Sequence, residues 1–275
     1  MSDSDKTPRT ASPKKWALIG TTALTGLGLA LGTSGQPAHA DSAAPMVLAQ
    51  ATISGEAGEA GEGAIETDDS GVEFLVHLGL FDAAVRIVGA LYALGEITQA
   101  KDQLETSHHA DYADLEEGLS EFSQNGFIDE YTEFSDLVLS GADAAAVAAA
   151  ESRLLAAIAA THGADGISKR DEFEAMVHLI ETAAADFDAG VDAGRVAEPH
   201  EYRDAWGFVE TVRATANDLA ASKDETVARA AADVLAALEP AAALFPALNA
   251  EMVGSDASIL YAAAGRIRFT ILKVE

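Results

Sequence analysis

Residues 168–221 read SKRDEFEAMVHLIETAAADFDAGVDAGRVAEPHEYRDAWGFVETVRATANDLAA, and this stretch decides the fold class. Ser168, with an acidic residue three positions later, predicts the N-terminus of a helix. Gly190 and Gly194 predict a turn at the end of that helix, and Pro199 suits the first position of the next one. The stretch therefore predicts two long antiparallel helices joined by a short turn.

The helical pattern continues on both sides of this hairpin. Apolar residues recur at helical spacing, and they do not alternate with polar residues over a useful length, so strands are not expected. Ser222 with Glu225 predicts a capping box for the helix after the hairpin. We therefore expect an all-α fold, a single bundle of antiparallel helix hairpins over residues 71–275. The further helices are predicted at about 72–94, 97–104, 110–124, 127–140, 143–161, 222–238 and 256–272.

The N-terminal residues predict export. Lys14 and Lys15 precede an apolar run over 16–32, and an Ala-His-Ala sequence ending at Ala40 follows. This order of a charged region, an apolar region and small residues is typical of a secretory signal peptide. We expect a signal peptide over 1–40, cleavage near Ala40, and a periplasmic or secreted protein. An uncleaved N-terminal anchor is the alternative.

Residues 41–70 predict a flexible acidic linker. They are rich in Ala, Gly, Ser and Glu, and the part from Ser54 to Gly63 carries few apolar side chains that could stabilise an ordered structure. Glu56, Glu59 and Glu62 recur at three-residue spacing, which offers weak binding of a hard cation as an alternative to simple tethering.

Charge and cysteine content exclude several function classes. The chain has 45 acidic and 17 basic residues, a formal charge of −28, and no cysteine. Removal of residues 1–40 leaves 43 acidic and 13 basic residues, a formal charge of −30. Such a surface repels nucleic acid and anionic membranes, while it attracts cations and basic partners. Without cysteine there are no disulfides, no lipid-anchored Cys and no haem c.

The best candidate metal site lies on the first helix of the hairpin. Glu174, His178 and Glu181 fall at i, i+4 and i+7, so they share one helical face. A helix folded back through the turn should bring Glu210 near His178. Mixed carboxylate and imidazole ligands suit iron or another divalent transition metal. The alternative is a solvent-facing polar stripe on an amphipathic helix.

Two other histidine clusters are weaker candidates. His200, Glu201 and Asp204 form our second choice of metal ligands, although acidic residues in a first helical turn also interact favourably with the helix dipole. His108 and His109 lie in a third cluster, which includes Asp111 and Asp114 and which a simple loop also explains. We expect His77 to be a packed core residue.

Motifs of known catalysis are missing. The sequence has no Gly-x-Ser-x-Gly elbow, no His-Glu-x-x-His pair and no phosphate-binding loop. We therefore expect no nucleotide cofactor and no enzymatic activity.

Two segments resemble a known family. The segment Phe187–Phe208, with its Gly-Val turn, Gly-x-Val step and acidic-Tyr helix start, is similar to the extracytoplasmic helical domain associated with bacterial high-affinity iron permeases. The segment Leu91–Leu115 resembles related, uncharacterised exported proteobacterial proteins. The permease's membrane helices and its Arg-Glu-Gly-Leu-Glu motif are absent, so the resemblance implies an exported relative of the accessory domain.

The sequence as a whole favours an exported accessory or binding protein in periplasmic metal handling, with iron as the expected metal. A membrane iron-transport component or another periplasmic protein is the expected partner. One alternative is a metal-free helical scaffold whose acidic face binds a partner protein. Another is a carboxylate-bridged, ferroxidase-like enzyme, for which the face at Glu174, His178 and Glu181 would supply half of the ligands.

Overall fold

The computed structural model describes residues 69–107 and 112–274. The predicted signal peptide and nearly all of the predicted linker lie outside these residues. The described chain is almost entirely helical, which confirms the all-α prediction. Its helices are α1 Ser70–Ala93, α2 Ile97–Thr106, α3 Ala113–Glu121, α4 Ile128–Ser140, α5 Ala144–Thr161, α6 Lys169–Gly190, α7 Pro199–Ala220, α8 Glu225–Leu238 and α9 Ser258–Ile271, with a 3-10 helix at Glu239–Leu244.

Helix α1 is the central helix of the fold. It packs against α6 and α7 on one side and against α2, α3 and α5 on the others. Of its 24 residues, 17 are buried, because apolar side chains cover all of its faces. Asp69 caps its start by accepting the N–H of Gly71 at 2.9 Å. Gly95, with φ of 83°, follows the C-cap residue Leu94.

Among the helices within residues 69–107 and 112–274, two are long and apolar enough to cross a membrane by length and composition alone, namely α1 and α5. The apolar window of α1 is 78% buried inside the protein, as is typical of a core helix, whereas that of α5 is 28% buried.

Helices α6 to α9 form a four-helix bundle. Helix α6 packs on α7 and α9, and α8 packs on the same two helices, so the four close into a ring. Large aromatic side chains fill the bundle, and those of Phe173, Phe187, Tyr202 and Phe208 are almost fully buried.

The short helices α3 and α4 are held to α1 by an aromatic cluster. Phe81 of α1 contacts the rings of Tyr112, Phe127 and Tyr131 at centroid distances of 5.0–6.1 Å. The Tyr112 hydroxyl also accepts the backbone N–H of Phe127 at 2.9 Å. This cluster positions α3 beside the N-terminal half of α1.

The predicted hairpin of α6 and α7 is confirmed, together with its cap. Ser168 Oγ accepts the N–H of Asp171 at 3.1 Å, and Asp171 accepts the N–H of Ser168 at 2.6 Å. Gly190 ends α6, and Pro199 is the first residue of α7.

The expectation of no strands is wrong at the turn of this hairpin. Strand β1 Val191–Asp192 pairs antiparallel with β2 Arg195–Val196. Ala193 and Gly194 both have positive φ, 50° and 83°, as a two-residue hairpin turn of this kind requires. The segment before α9 extends the pairing, because Val253 N–H donates to the Gly194 carbonyl at 2.9 Å.

The predicted capping box at Ser222 and Glu225 is also wrong. Asp224 is the N-cap of α8, and its carboxylate accepts the N–H groups of Thr226 at 2.8 Å and Val227 at 3.3 Å. The Ser222 hydroxyl instead accepts the N–H of Asp224 at 3.1 Å. An aspartate directly before the helix reaches two free N–H groups, so it displaces the more distant serine.

We predict that Gly207→Ala destabilises the protein by about 1–3 kcal/mol, the usual effect of overpacking. A Cβ at this position of α7 would lie 2.7 Å from Ile87 Cδ1 and 3.1 Å from Ala83 Cβ on α1. Urea unfolding at low micromolar concentration measures the change. Gly265→Ala is the control: its Cβ meets no described atom within 4 Å, so it should stabilise α9 by up to about 1 kcal/mol. Equal effects of the two variants would contradict the close crossing of α1 and α7.

Candidate functional site

The predicted metal-binding side chains share a face of α6. Glu174, His178 and Glu181 are all half-buried, and they lie on the narrow polar stripe of a helix whose other faces are mostly buried. Helical spacing therefore places these three groups correctly, at the edge of the bundle.

Each carboxylate of this predicted set is held by an arginine. Within residues 69–107 and 112–274, no three His, Asp or Glu side chains are grouped so that they could hold a metal ion. The metal face on α6 thus stays a prediction, and its carboxylates would exchange an arginine for the ion. The ion pairs are Glu174–Arg170 at 2.7 Å, Glu181–Arg268 at 2.8 Å and Glu210–Arg213 at 3.2 Å.

The second-choice cluster of His200, Glu201 and Asp204 lies in the first turns of α7. Partial burial and the Arg203 guanidinium lower the pKa of His200, which favours its neutral form. Asp204 accepts the side-chain N–H of Gln103 at 3.0 Å, so this carboxylate fastens α7 to α2. Of the third cluster, His108, His109 and Asp111 lie outside the described residues, and so does the side chain of Asp114.

An acidic cleft between α1 and α3 was not predicted from the sequence. Its volume is about 180 Å³, and its lining includes Glu73, His77, Glu117 and Glu121 but no Lys or Arg side chain. His77, expected in the core, is half-buried here. The hydroxyl of Ser70 donates to Glu121 Oε1 at 2.9 Å. The only sequence signal was a pair of i, i+4 spacings on two helices far apart in the chain.

A buried polar network joins α1 to α7. The Asp82 carboxylate is buried, with 5% of the residue exposed. It accepts the Thr211 hydroxyl at 2.7 Å and two N–H groups of Arg86, from Nε and, at 3.2 Å, from the terminal nitrogen. Bonds to both neighbours offset the cost of burying the charge.

A second cleft, of about 240 Å³, opens beside this network. Its lining includes Asp82, His162, Lys169 and Glu172. The ammonium group of Lys169 donates to the buried Glu172 carboxylate. Burial raises the pKa of Glu172 and lowers that of His162, so both groups are shifted towards their neutral forms. His162 Nδ1 is a buried atom without a hydrogen-bond partner in the described structure.

Glu151 of α5 is a titrating group near neutral pH. Its carboxyl lies directly over Gly89 of α1, where a Cβ would come within 2.1 Å of Oε1. Burial raises its pKa to about 7, against the opposing effect of the Arg86 guanidinium. Burial of this one carboxyl therefore favours its protonated form at mildly acidic pH.

Comparison with known proteins identifies the C-terminal bundle. Residues 167–271, which span α6 to α9, match the family model of the iron permease-associated 4-helix bundle domain. This confirms the resemblance seen in the sequence around the α6–α7 turn. No curated protein and no solved structure matches the chain.

We predict that Glu151→Gln, which mimics the protonated carboxyl, stabilises the protein more at high pH than at low pH. The ordinary glutamate pKa is 4.5 and the folded value about 7. The folded state therefore holds the proton more tightly, and stability contributed by protonated Glu151 is lost as pH rises through this range. Between about pH 5.5 and about pH 8 the advantage of the variant should grow by about 1–2 kcal/mol, after allowance for solvent screening.

Urea unfolding at the two pH values measures this difference. Glu133→Gln is the matched control, because Glu133 on α4 is exposed and pairs with Arg153 at 2.6 Å. A stability gain from Glu151→Gln that does not change with pH would contradict the raised pKa of Glu151.

Proposed function

We propose that this protein is an exported accessory protein of iron uptake, acting in the periplasm as a binding module beside a membrane iron-transport component. The observation that carries the proposal is the match of α6 to α9 with an iron permease-associated domain. The signal-peptide pattern over 1–40 supports export. The strongly acidic composition supports the binding of cations.

The proposed role is binding rather than catalysis. The matched family is an iron permease-associated domain and not a known enzyme family. A ferroxidase would need two metal ions bridged by carboxylates. The iron content of the purified protein therefore distinguishes a binding protein from a ferroxidase, since a ferroxidase requires two irons per chain.

We infer that iron is captured by Glu and His side chains of the helical domain. The predicted face of Glu174, His178, Glu181 and Glu210 is one location, and capture there displaces arginines from the carboxylates. The α1–α3 cleft is a second location and offers more available ligands, because three carboxylates and the His77 imidazole line it and no basic side chain does. These ligand types suit iron, manganese or zinc, and rotation of the long Glu side chains would bring them onto one ion.

A second candidate function is a metal-free scaffold that binds a basic partner through its acidic surface. The arginine pairs at Glu174, Glu181 and Glu210 favour it, because they already neutralise the predicted ligands. The two candidates differ in one observable, the binding of metal by the isolated protein.

Calorimetric titration with Fe²⁺ under anaerobic conditions, on protein without a His-tag, tests the capture proposal. His77→Ala should weaken binding roughly tenfold or more if the α1–α3 cleft holds the ion, and His178→Ala should do so if the α6 face does. Each variant is the control for the other. Binding should also weaken as pH falls, because protons compete with the metal for imidazole and carboxylate. No heat of binding in any form would exclude capture and leave the scaffold.

Export is tested by the intact mass of the mature protein. The Ala-His-Ala sequence predicts a chain that begins at Asp41. A mass that retains residues 1–40 would contradict cleavage and support the uncleaved anchor instead.

A further inference from the structure

The cleft of about 240 Å³ beside the Asp82 network lies at the junction of α1, α5, α6 and α7. Its lining takes Asp82 and Arg86 from α1, His162 from the end of α5, Lys169 from the start of α6 and Asp218 from the last turn of α7. Sites for small molecules begin at about 300 Å³. The cleft is therefore of a size to hold a small ligand among charged side chains.

The charged side chains of the cleft leave one carboxylate over. Arg86 pairs with Asp82, and Lys169 pairs with Glu172, so both basic side chains of the lining are already engaged. Asp218 is exposed, and within residues 69–107 and 112–274 it forms no ion pair. The paired charges balance each other, so the cleft as a whole is negative.

Two helix ends add to this negative potential. Helix α5 ends at Thr161 and α7 at Ala220, and the last turn of each helix lines the cleft without containing a basic residue. The C-terminus of a helix carries partial negative charge and favours a cation. The start of α6 is a positive end, but Asp171 and Glu172 in its first turn offset it. The cleft therefore favours a cation over an anion.

His162 offers such a cation a hydrogen-bond acceptor. Its Nδ1 is buried and has no hydrogen-bond partner within the described residues. Burial lowers the pKa of His162 and favours the neutral ring, in which one nitrogen is an acceptor. The nearby carboxylates of Asp82 and Asp218 act on the same ring and would repel an anion. A buried polar atom without a partner destabilises the fold, so the ring calls for a ligand that donates N–H.

The wall of the cleft around His162 favours an organic cation over a metal ion. His162 and Glu172 also line an apolar slot with Leu75, Met176 and Val212, so the imidazole borders apolar side chains. A hydrogen bond made there is stronger than one in water. Within residues 69–107 and 112–274, no three His, Asp or Glu side chains are grouped to hold a metal ion.

We propose that this cleft binds a small organic ammonium ion, which donates an N–H group to His162 Nδ1 and whose charge is balanced by Asp218. The site does not depend on the proposed role in iron uptake. Its residues are also different from those of the α6 face and of the α1–α3 cleft, where iron capture is proposed.

Nitrogen-15 NMR of the histidine rings tests the hydrogen bond. The full chain is titrated with propylammonium chloride, and the His162→Leu variant identifies the His162 signals. The Nδ1 signal should shift and reach saturation, because the nitrogen gains a donor. Tetramethylammonium is the matched control, since it has the same charge and a similar size but no N–H group, and it should not produce this shift. Equal shifts with both ions, or no shift up to about 50 mM propylammonium, would overturn the proposal.

Two aspartate variants test the balance of charge by the same titration. Asp218→Asn should weaken the binding of propylammonium about threefold, the usual scale for an exposed ion pair. Asp136→Asn removes the same charge from an exposed position on α4, away from the cleft, and should leave binding unchanged. Both side chains are exposed, so neither change should unfold the protein, and circular dichroism verifies this. Equal binding by the two variants would overturn the role of Asp218.

Discussion

The burial of α1 is the constraint on which the rest of the structure depends. A helix that is apolar on every face must be covered on every face. The C-terminal bundle covers one side through α6 and α7, and the shorter helices α2, α3 and α5 cover the others. Where α1 and α7 approach most closely, Gly207 removes the side chain that would collide with Ile87.

The same constraint explains the polar chemistry at the helix junction. Asp82 is a charge on a buried side of this helix, so it needs Arg86 and Thr211 as partners. Glu151 lies over the backbone of Gly89 near the same charges, and burial brings its pKa to about 7. The covering of α1 thus places a carboxyl with a raised pKa beside the junction. The surface cleft at α1–α3 follows from the same packing, since the short helix α3 covers only part of α1. The cleft at the junction opens where α5 ends and α6 begins.

Much of the fold was predictable because its signals are local. The cap at Ser168, the glycines of the turn and Pro199 each act within a few residues, and the predicted α6–α7 hairpin is confirmed. Two local predictions were wrong for different reasons. Asp224 displaces Ser222 as the N-cap of α8 because it lies closer to the free N–H groups. The two short strands were not expected because their turn needs a left-handed conformation at Ala193, which is rare for alanine.

The candidate site was less predictable, because its contacts join distant parts of the chain. Periodicity places Glu174, His178 and Glu181 on one face, but it does not reveal that Arg268 of α9 reaches Glu181. The acidic cleft at His77 likewise exists only once α3 is packed beside α1. The side chains that line it lie outside the matched domain, so the N-terminal helices add an acidic cleft that the bundle alone lacks.

The proposed role of this chain is to serve a membrane iron transporter. Uptake of radioactive iron by cells of the source organism, with and without the gene, tests that claim most directly. We expect that loss of the protein lowers iron uptake at limiting external iron and that the full chain restores it. Iron uptake that is unchanged by loss of the protein at every external concentration would contradict it.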